Sequence, residues 1–174
     1  MRRALLAGFA VLSLLYATPA PAQNLNDIDK AEKALDSAWA QGPLRFRQAF
    51  FVSTPPAGFG IYEARPDAPF KKGEKLIVYA EPVGYGWKDN GDGTYNLGFD
   101  VDLAVKGADG TELAKQPNFA HLSLTSHARN HEFMLVITLD LTGADPGKYV
   151  VEYTAHDIAS PKSAVISLPF SVAG

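Results

Sequence analysis

The chain has 174 residues, no cysteine, and 16 basic against 19 acidic residues, so its net charge is −3. The lack of cysteine excludes disulfides, thiol catalysis and cysteine-ligated zinc or iron–sulfur centres, and it argues against a lipid-modified cysteine. Since no basic stripe is present, we expect no nucleic-acid partner, because phosphate backbones are bound by clustered lysine and arginine.

The first 22 residues have the pattern of a secretory signal peptide. A pair of arginines precedes an apolar run over residues 4–16, and Ala20 and Ala22 then supply small residues at a cleavage site. This run is shorter than the roughly 20 residues of a membrane-spanning helix. We therefore expect residues 1–22 to be removed, Gln23 to begin the mature chain, and the protein to be periplasmic or secreted without a membrane span.

Residues 23–43 predict one N-terminal helix. Asn26 can cap its start, and Gly42-Pro43 ends the pattern. We expect Trp39 to anchor this helix on the rest of the chain, the alternative being a frayed arm that only spaces the domain from the export signal. The apolar residues near one helical face are Leu25, Ile28, Ala31, Leu35, Ala38 and Trp39.

Residues 44–174 have the pattern of short strands separated by turns. Mostly apolar residues 132–141 are expected to form a central strand, and Pro169 places the last strand at an edge or beside a bulge. Seven to nine strands without βαβ alternation predict an all-β, two-sheet sandwich. The predicted strands start at Phe46 and cover residues 59–65, 75–81, 95–106, 119–125, 132–141, 148–155 and 164–172.

Four short patterns occur in the strand-rich part of the chain. They are Phe70-x-x-Gly73-Glu74-x-Leu76-x-x-Tyr79-x-Glu81, Pro146-Gly147-x-Tyr149-x-x-x-Tyr153-x-x-x-Asp157, Ser160-x-Lys162 and Leu168-Pro169-Phe170-x-Val172. These patterns resemble the early and closing strands of exported bacterial β-sandwich proteins. The likeness covers residues 59–172 and is to an immunoglobulin-like accessory domain of a largely uncharacterised group. It implies an immunoglobulin-like fold and export, but no reaction, and the inter-sheet disulfide of many immunoglobulin domains is missing.

Residues 89–95 share Asp, Asn and Gly with calcium-binding loops. Counted from Asp89, however, the sixth position is Thr94 instead of glycine, and the twelfth is Asp100 instead of a bidentate glutamate. The Asn-Gly and Asp-Gly pairs instead favour a tight hairpin turn. The second candidate metal cluster, His121, His127 and His131 with Glu132, has no recognised ligand spacing, so we predict no metal site and no cofactor.

Acidic residues and histidines also raise the question of catalysis. His156 and Asp157 are neighbours on a predicted strand and should point to opposite faces, so Asp157 is expected to tether the following turn. Asp100 and Asp102 share one exposed strand face, where nothing desolvates them. Because no Gly-x-Ser-x-Gly elbow is present either, we nominate no catalytic residue.

The aromatic loop that contains Tyr85 and Trp87 is the predicted ligand-binding site. Glycines at positions 84 and 86 let both side chains project, and such aromatics are enriched at binding hot spots. The alternative is a core plug that closes one end of the sandwich.

These observations predict a non-catalytic exported β-sandwich module that binds a protein or a cell-envelope polymer. The alternatives are a carbohydrate-active or metal-dependent periplasmic enzyme, and a purely structural domain. Binding is favoured because no acid, base and nucleophile converge in the sequence pattern.

Overall fold

The computed structural model describes residues 25–67 and 69–174, and the predicted signal peptide lies outside this part of the chain. Its helix α1 (Leu25–Gln41) confirms the helix predicted from the apolar spacing. The strands of the described residues are β1 (Arg45–Phe51), β2 (Lys75–Val83), β3 (Lys88–Asp89), β4 (Tyr95–Gly107), β5 (Glu112–Ser126), β6 (Leu135–Asp140), β7 (Gly147–Asp157) and β8 (Ser163–Val172).

The strands form two antiparallel sheets. The smaller sheet has the order β1-β2-β6, and the larger sheet has the order β3-β4-β7-β8 with β5 also paired to β4. One hydrophobic core contains residues from both sheets. The predicted all-β, two-sheet sandwich with a short N-terminal helix is therefore confirmed, and its eight strands fall within the expected seven to nine.

The strand predicted over residues 59–65 is wrong. This stretch is an irregular segment with two isolated bridges, Gly58 to Ile61 and Val52 to Ala64. The chain turns sharply at Gly60, which has a φ of 71°, and the Gly60 amide donates a hydrogen bond to the Tyr79 hydroxyl at 2.8 Å. Because this turn interrupts extended backbone, the segment packs across the outer face of the smaller sheet instead of joining it.

The expectation that residues 132–141 form a central strand is also wrong. Within the described chain, β6 covers only residues 135–140 and pairs with β2 alone, so it lies at a sheet edge. The central strand of that sheet is β2, in which residues 76–82 are all buried. Its inner face contacts the core and its outer face lies beneath the irregular segment. Pro169 does lie on an edge strand, as predicted, because β8 pairs along its length with β7 only.

We predict that Ile137→Ala lowers the free energy of unfolding by about 2–5 kcal/mol, because it leaves a cavity where a side chain only 1% exposed packs between the sheets. Urea denaturation monitored by circular dichroism measures the change. The neighbouring Thr138 is exposed, so Thr138→Ala is the matched control and should change stability by less than about 0.5 kcal/mol. Equal losses in the two variants would contradict the inward orientation of Ile137.

Candidate functional site

Tyr85 of the predicted binding loop is part of the core. Its side chain is fully buried, and its hydroxyl donates a 2.8 Å hydrogen bond to the Asn130 carbonyl. The ring packs against Trp39 and Phe99, with centroid distances of 5.1 and 5.9 Å. Burial raises the pKa of Tyr85 well above its usual value. The expectation that this residue projects is therefore wrong, because the backbone turns at Gly84 and directs the side chain inward.

Trp87 is half-buried and retains a partly exposed surface. Its indole stacks on Trp39 at 5.9 Å with an interplanar angle of 25°, and its Nε1 donates a 2.9 Å hydrogen bond to the Asn130 carbonyl. The remaining surface lines a cleft of about 290 Å³ together with Asp36 and Arg129. Trp87 can therefore contact a ligand there, although one of its faces is already covered.

His131 connects α1 to the loop that precedes β6. Its ring lies edge-on between Trp39 and Trp87, at 4.6 and 5.0 Å. Its Nε2 is 3.2 Å from an Asp36 carboxylate oxygen, and Arg129 approaches the other oxygen at 3.8 Å. These contacts attach the last turns of α1, where Trp39 is the buried residue, to the end of the sandwich.

Lys162 holds the same end of the sandwich together. Its ammonium group donates three hydrogen bonds, to the carbonyls of Ala40, Gly42 and Gly84, at 2.8, 2.7 and 2.8 Å. Three donors are all that an ammonium group has, so this lysine is fully committed to joining the end of α1, the following turn and the aromatic loop.

Asp157 fixes the adjacent turn, as its sequence position predicted. Its carboxylate accepts hydrogen bonds from the Gly86 amide at 2.7 Å, from the Ala159 amide at 3.0 Å and from the Ser160 hydroxyl. The neighbouring His156 instead contacts Asp102 at 3.0 Å across the sheet. The two residues therefore do not form an acid–base pair, in agreement with their opposite orientations.

The histidines of the predicted cluster are engaged separately. His121 Nδ1 lies 2.7 Å from Asp100, His127 Nδ1 lies 3.2 Å from the Gly93 carbonyl, and His131 contacts α1. Among residues 25–67 and 69–174, no three histidine or acidic side chains come close enough together to bind a metal.

The acidic turn after β3 is the hairpin that its glycines predicted. Asp89 accepts a hydrogen bond from the Gly91 amide at 2.8 Å, and Asp92 accepts from the Thr94 amide at 3.0 Å and its hydroxyl at 2.6 Å. The bonds from Thr94 lower the pKa of Asp92. The carboxylates thus cap the turn itself, and Gly91 and Gly93 supply its positive φ angles.

Asp100 and Asp102 lie on the outer face of the larger sheet, as predicted. Asp102 accepts a hydrogen bond from the Asn118 amide at 2.8 Å, and this bond, with a further contribution from His156, lowers the pKa of Asp102. Both carboxylates remain substantially open to solvent. An exposed carboxylate with a lowered pKa is a poor proton donor near neutral pH, so Asp102 lacks the raised pKa of a general acid.

A buried carboxylate that the sequence analysis missed lies on the opposite sheet. Glu81 is only 4% exposed and accepts hydrogen bonds from Tyr79 and Gln48, both at 2.7 Å. Burial, and secondarily the contact with Glu81, raises the pKa of Tyr79 to about 12. The Tyr79 hydroxyl also accepts a hydrogen bond from the Gly60 amide, so this network holds the irregular segment against the sheet.

A concave surface larger than the 290 Å³ cleft beside Trp87 lies elsewhere in the described chain. It is a groove of about 650 Å³, which we call the aromatic groove and define by Phe51, Phe70, Tyr149 and Phe170. Tyr149 stacks on Phe170 at 5.3 Å, and Phe70 lies edge-on to Phe51 at 5.3 Å and to Phe170 at 6.0 Å. The walls come from the end of β1, the stretch before β2, the start of β7 and the end of β8.

Backbone hydrogen bonds hold the walls of the aromatic groove. The Phe70 amide donates to the Ser171 carbonyl at 2.8 Å, and the Arg65 amide donates to the Phe51 carbonyl at 2.9 Å. The Arg65 guanidinium lies 4.0 Å from the centre of the Phe70 ring and pairs with Glu74 at 2.5 Å. The groove is therefore preformed, and a ligand could bind without a rearrangement of the aromatic side chains.

The sequence analysis did not identify the aromatic groove because its four aromatic residues come from four separate elements. Their spacing in the chain carries no common motif, and each individually has the pattern of a core residue. Only the pairing of Phe70 with Val172, an isolated parallel bridge, brings the stretch before β2 beside the end of β8.

Comparisons with protein-family models and with curated proteins find no match to this chain. In the described part of the chain, no helix has both the length and the apolar character that crossing a bilayer requires.

We predict that Lys162→Met lowers the free energy of unfolding by about 2–3 kcal/mol, because it removes three charge-assisted hydrogen bonds to backbone carbonyls, two of them partly buried. Urea denaturation measures stability, and tryptophan fluorescence reports whether Trp39 leaves its site. Lys88→Met is the control, since Lys88 is exposed on β3 and should have an effect below about 0.5 kcal/mol. A Lys162→Met variant as stable as that control would show that the three contacts contribute nothing.

Proposed function

We propose that this chain is a non-catalytic exported β-sandwich module that binds an apolar segment of a protein or of a cell-envelope polymer in the aromatic groove. The observation that carries the proposal is the groove itself, an open concave surface of about 650 Å³ lined by Phe51, Phe70, Tyr149 and Phe170. Ligand sites are commonly clefts of about 300–1,000 Å³ with mostly apolar walls and a few polar groups.

The polar groups of the aromatic groove suit positioning more than chemistry. Arg65 is paired with Glu74, and Lys148 and Asp67 lie at the exposed rim. No histidine lines the groove, so it lacks the residue most often used for proton transfer near neutral pH.

An exported β-sandwich enzyme, either carbohydrate-active or metal-dependent, is the alternative. Its best candidates are the Asp100–His121 and Asp102–His156 pairs, which lie on an open sheet face at 2.7 and 3.0 Å. That face offers no enclosed site to exclude water or raise the pKa of a carboxyl group. The open surroundings of these two pairs therefore support binding, and not catalysis, as the proposed role of the module.

Export is proposed from the pattern of residues 1–22 and places the module in the periplasm or outside the cell. The resemblance to immunoglobulin-like accessory domains supports the same location. The described chain is consistent with such a role, because the sandwich forms without any cysteine and so does not depend on the redox state of its compartment.

The cleft beside Tyr85 and Trp87 is a second candidate binding surface. Tyr85 contributes to the wall of the 290 Å³ cleft, and Trp87 offers its remaining exposed part. The aromatic groove is favoured because it has more than twice the volume and four aromatic residues around it.

We expect the neutral apolar dye N-phenyl-1-naphthylamine to bind the mature chain with increased emission, and Val150→Asp to weaken this binding at least about tenfold. Val150 lines the groove, and loss of contact with a valine-sized side chain corresponds to about 1.5–3 kcal/mol. A fluorescence titration gives both affinities.

Val165→Asp is the matched control for that titration. Val165 is 57% exposed on β8 and does not line the groove, so the same substitution there should leave dye affinity unchanged. Near-ultraviolet circular dichroism must show native packing in both variants. Absence of dye binding, or equal loss in the two variants, would overturn the groove as the binding site.

A further inference from the structure

We propose that the aromatic groove of one copy binds the exposed face of α1 from a second copy, so that two mature chains exchange their helices in a two-fold dimer. This inference rests on the proposed function, because it assigns an occupant to the same groove. It joins two apolar surfaces of one chain that have no partner among the residues that the structure describes.

Helix α1 lacks the packing that a helix of its length needs. All residues from 25 to 35 are exposed, including Leu25 at 76%, Ile28 at 54% and Leu35 at 48%. Its sandwich contacts begin only at Asp36, close to the buried Trp39. The exposed part of the helix, residues 25–35, is only 11 residues long, and isolated helices shorter than about 12–15 residues are marginal in water, so the projecting turns gain stability by burying this face elsewhere.

The charges around this helical face match the rim of the groove. At about 100° per residue, Glu32 lies between Leu25 and Ile28 around the helix axis, about 40° from Ile28 and about 60° from Leu35, while Lys30 and Lys33 lie on the far side of the helix. Of the charged side chains that line the groove, Arg65 is already paired with Glu74, so Lys148 is the cation available to an acidic partner, and Asp67 is the one acidic side chain. Lys148 is exposed and has no ion-pair partner among the described residues, so it can receive the carboxylate of Glu32.

The two surfaces lie at opposite ends of the sandwich. Lys162 fixes the end of α1 beside the turn from β7 to β8, whereas the groove lies at Tyr149, near the start of β7. Eight positions of extended strand separate Tyr149 from Asp157, which is roughly 27 Å. The projecting turns, which are exposed, therefore do not fill their own groove.

A second copy placed antiparallel beside the first allows both helix–groove contacts to form. Its groove then lies next to the first helix, and its helix lies next to the first groove, so one two-fold axis satisfies both contacts. Such an arrangement is closed and self-complementary, which is the commonest form of protein dimer.

Sedimentation equilibrium of the chain from Gln23 tests the proposal. We expect a concentration-dependent dimer in the wild type, and a dissociation constant at least about tenfold higher in Ile28→Glu and in Val150→Asp, which place a charge in the helix face and in the groove. Lys33→Glu alters the far side of the helix and should dimerise as the wild type does.

A charge exchange then tests the orientation of the contact. Glu32→Lys and Lys148→Glu should each weaken dimerisation, because each places like charges together in both contacts of its own dimer. When the two variants are mixed, both contacts regain opposite charges, so we expect a mixed dimer that forms more tightly than either variant alone.

Each other outcome overturns the inference. A wild-type monomer at all concentrations would exclude the dimer, and a dimer insensitive to Val150→Asp would show that the helices contact something other than the groove. No gain on mixing the charge variants would contradict the proposed orientation. Dye binding in the groove of a monomeric wild type would leave the proposed function intact, whereas a loss of dye binding as well would remove both.

Discussion

Packing between the inner faces of the two sheets is the interaction on which the rest of this structure depends. With no cysteine in the chain, no disulfide joins the sheets, and side chains such as Phe99, Tyr153 and Ile137 provide the contact instead. Buried apolar area stabilises such a core in proportion to its extent. The strands must therefore remain in register along their length. Because the core stabilises the fold, the loops and the edge strands are available for contacts with other molecules.

The two ends of the sandwich use their aromatic side chains differently. At one end, Trp39, Tyr85 and Trp87 pack on one another, and Lys162 bonds the backbone around them. At the other end, Tyr149 and Phe170 stack beside an open groove. The first end thus attaches the helix, and the second end offers the surface that we assign to binding.

Local sequence patterns predicted the elements that depend on local rules. Helix α1 follows from apolar spacing and a Gly-Pro stop, and the hairpin after β3 follows from two Asp-Gly or Asn-Gly pairs. The outer face of β2 could not be predicted, because it is buried by a segment that returns at Gly60 through a distant bond to Tyr79. The burial of Tyr85 could not be predicted either, because it also depends on a contact that is distant in the sequence. Its burial depends on Asn130, which lies 45 residues further along the chain.

The measurement that tests the central claim most directly is a set of amide and aromatic NMR spectra of the mature chain, recorded during titration with N-phenyl-1-naphthylamine. The account predicts that the largest shift changes fall on Phe51, Phe70, Tyr149, Val150 and Phe170, with Trp87 and its neighbours unchanged. Changes confined to Trp87, Arg129 and Ser160 would contradict it, because they would place the binding surface at the opposite end of the sandwich.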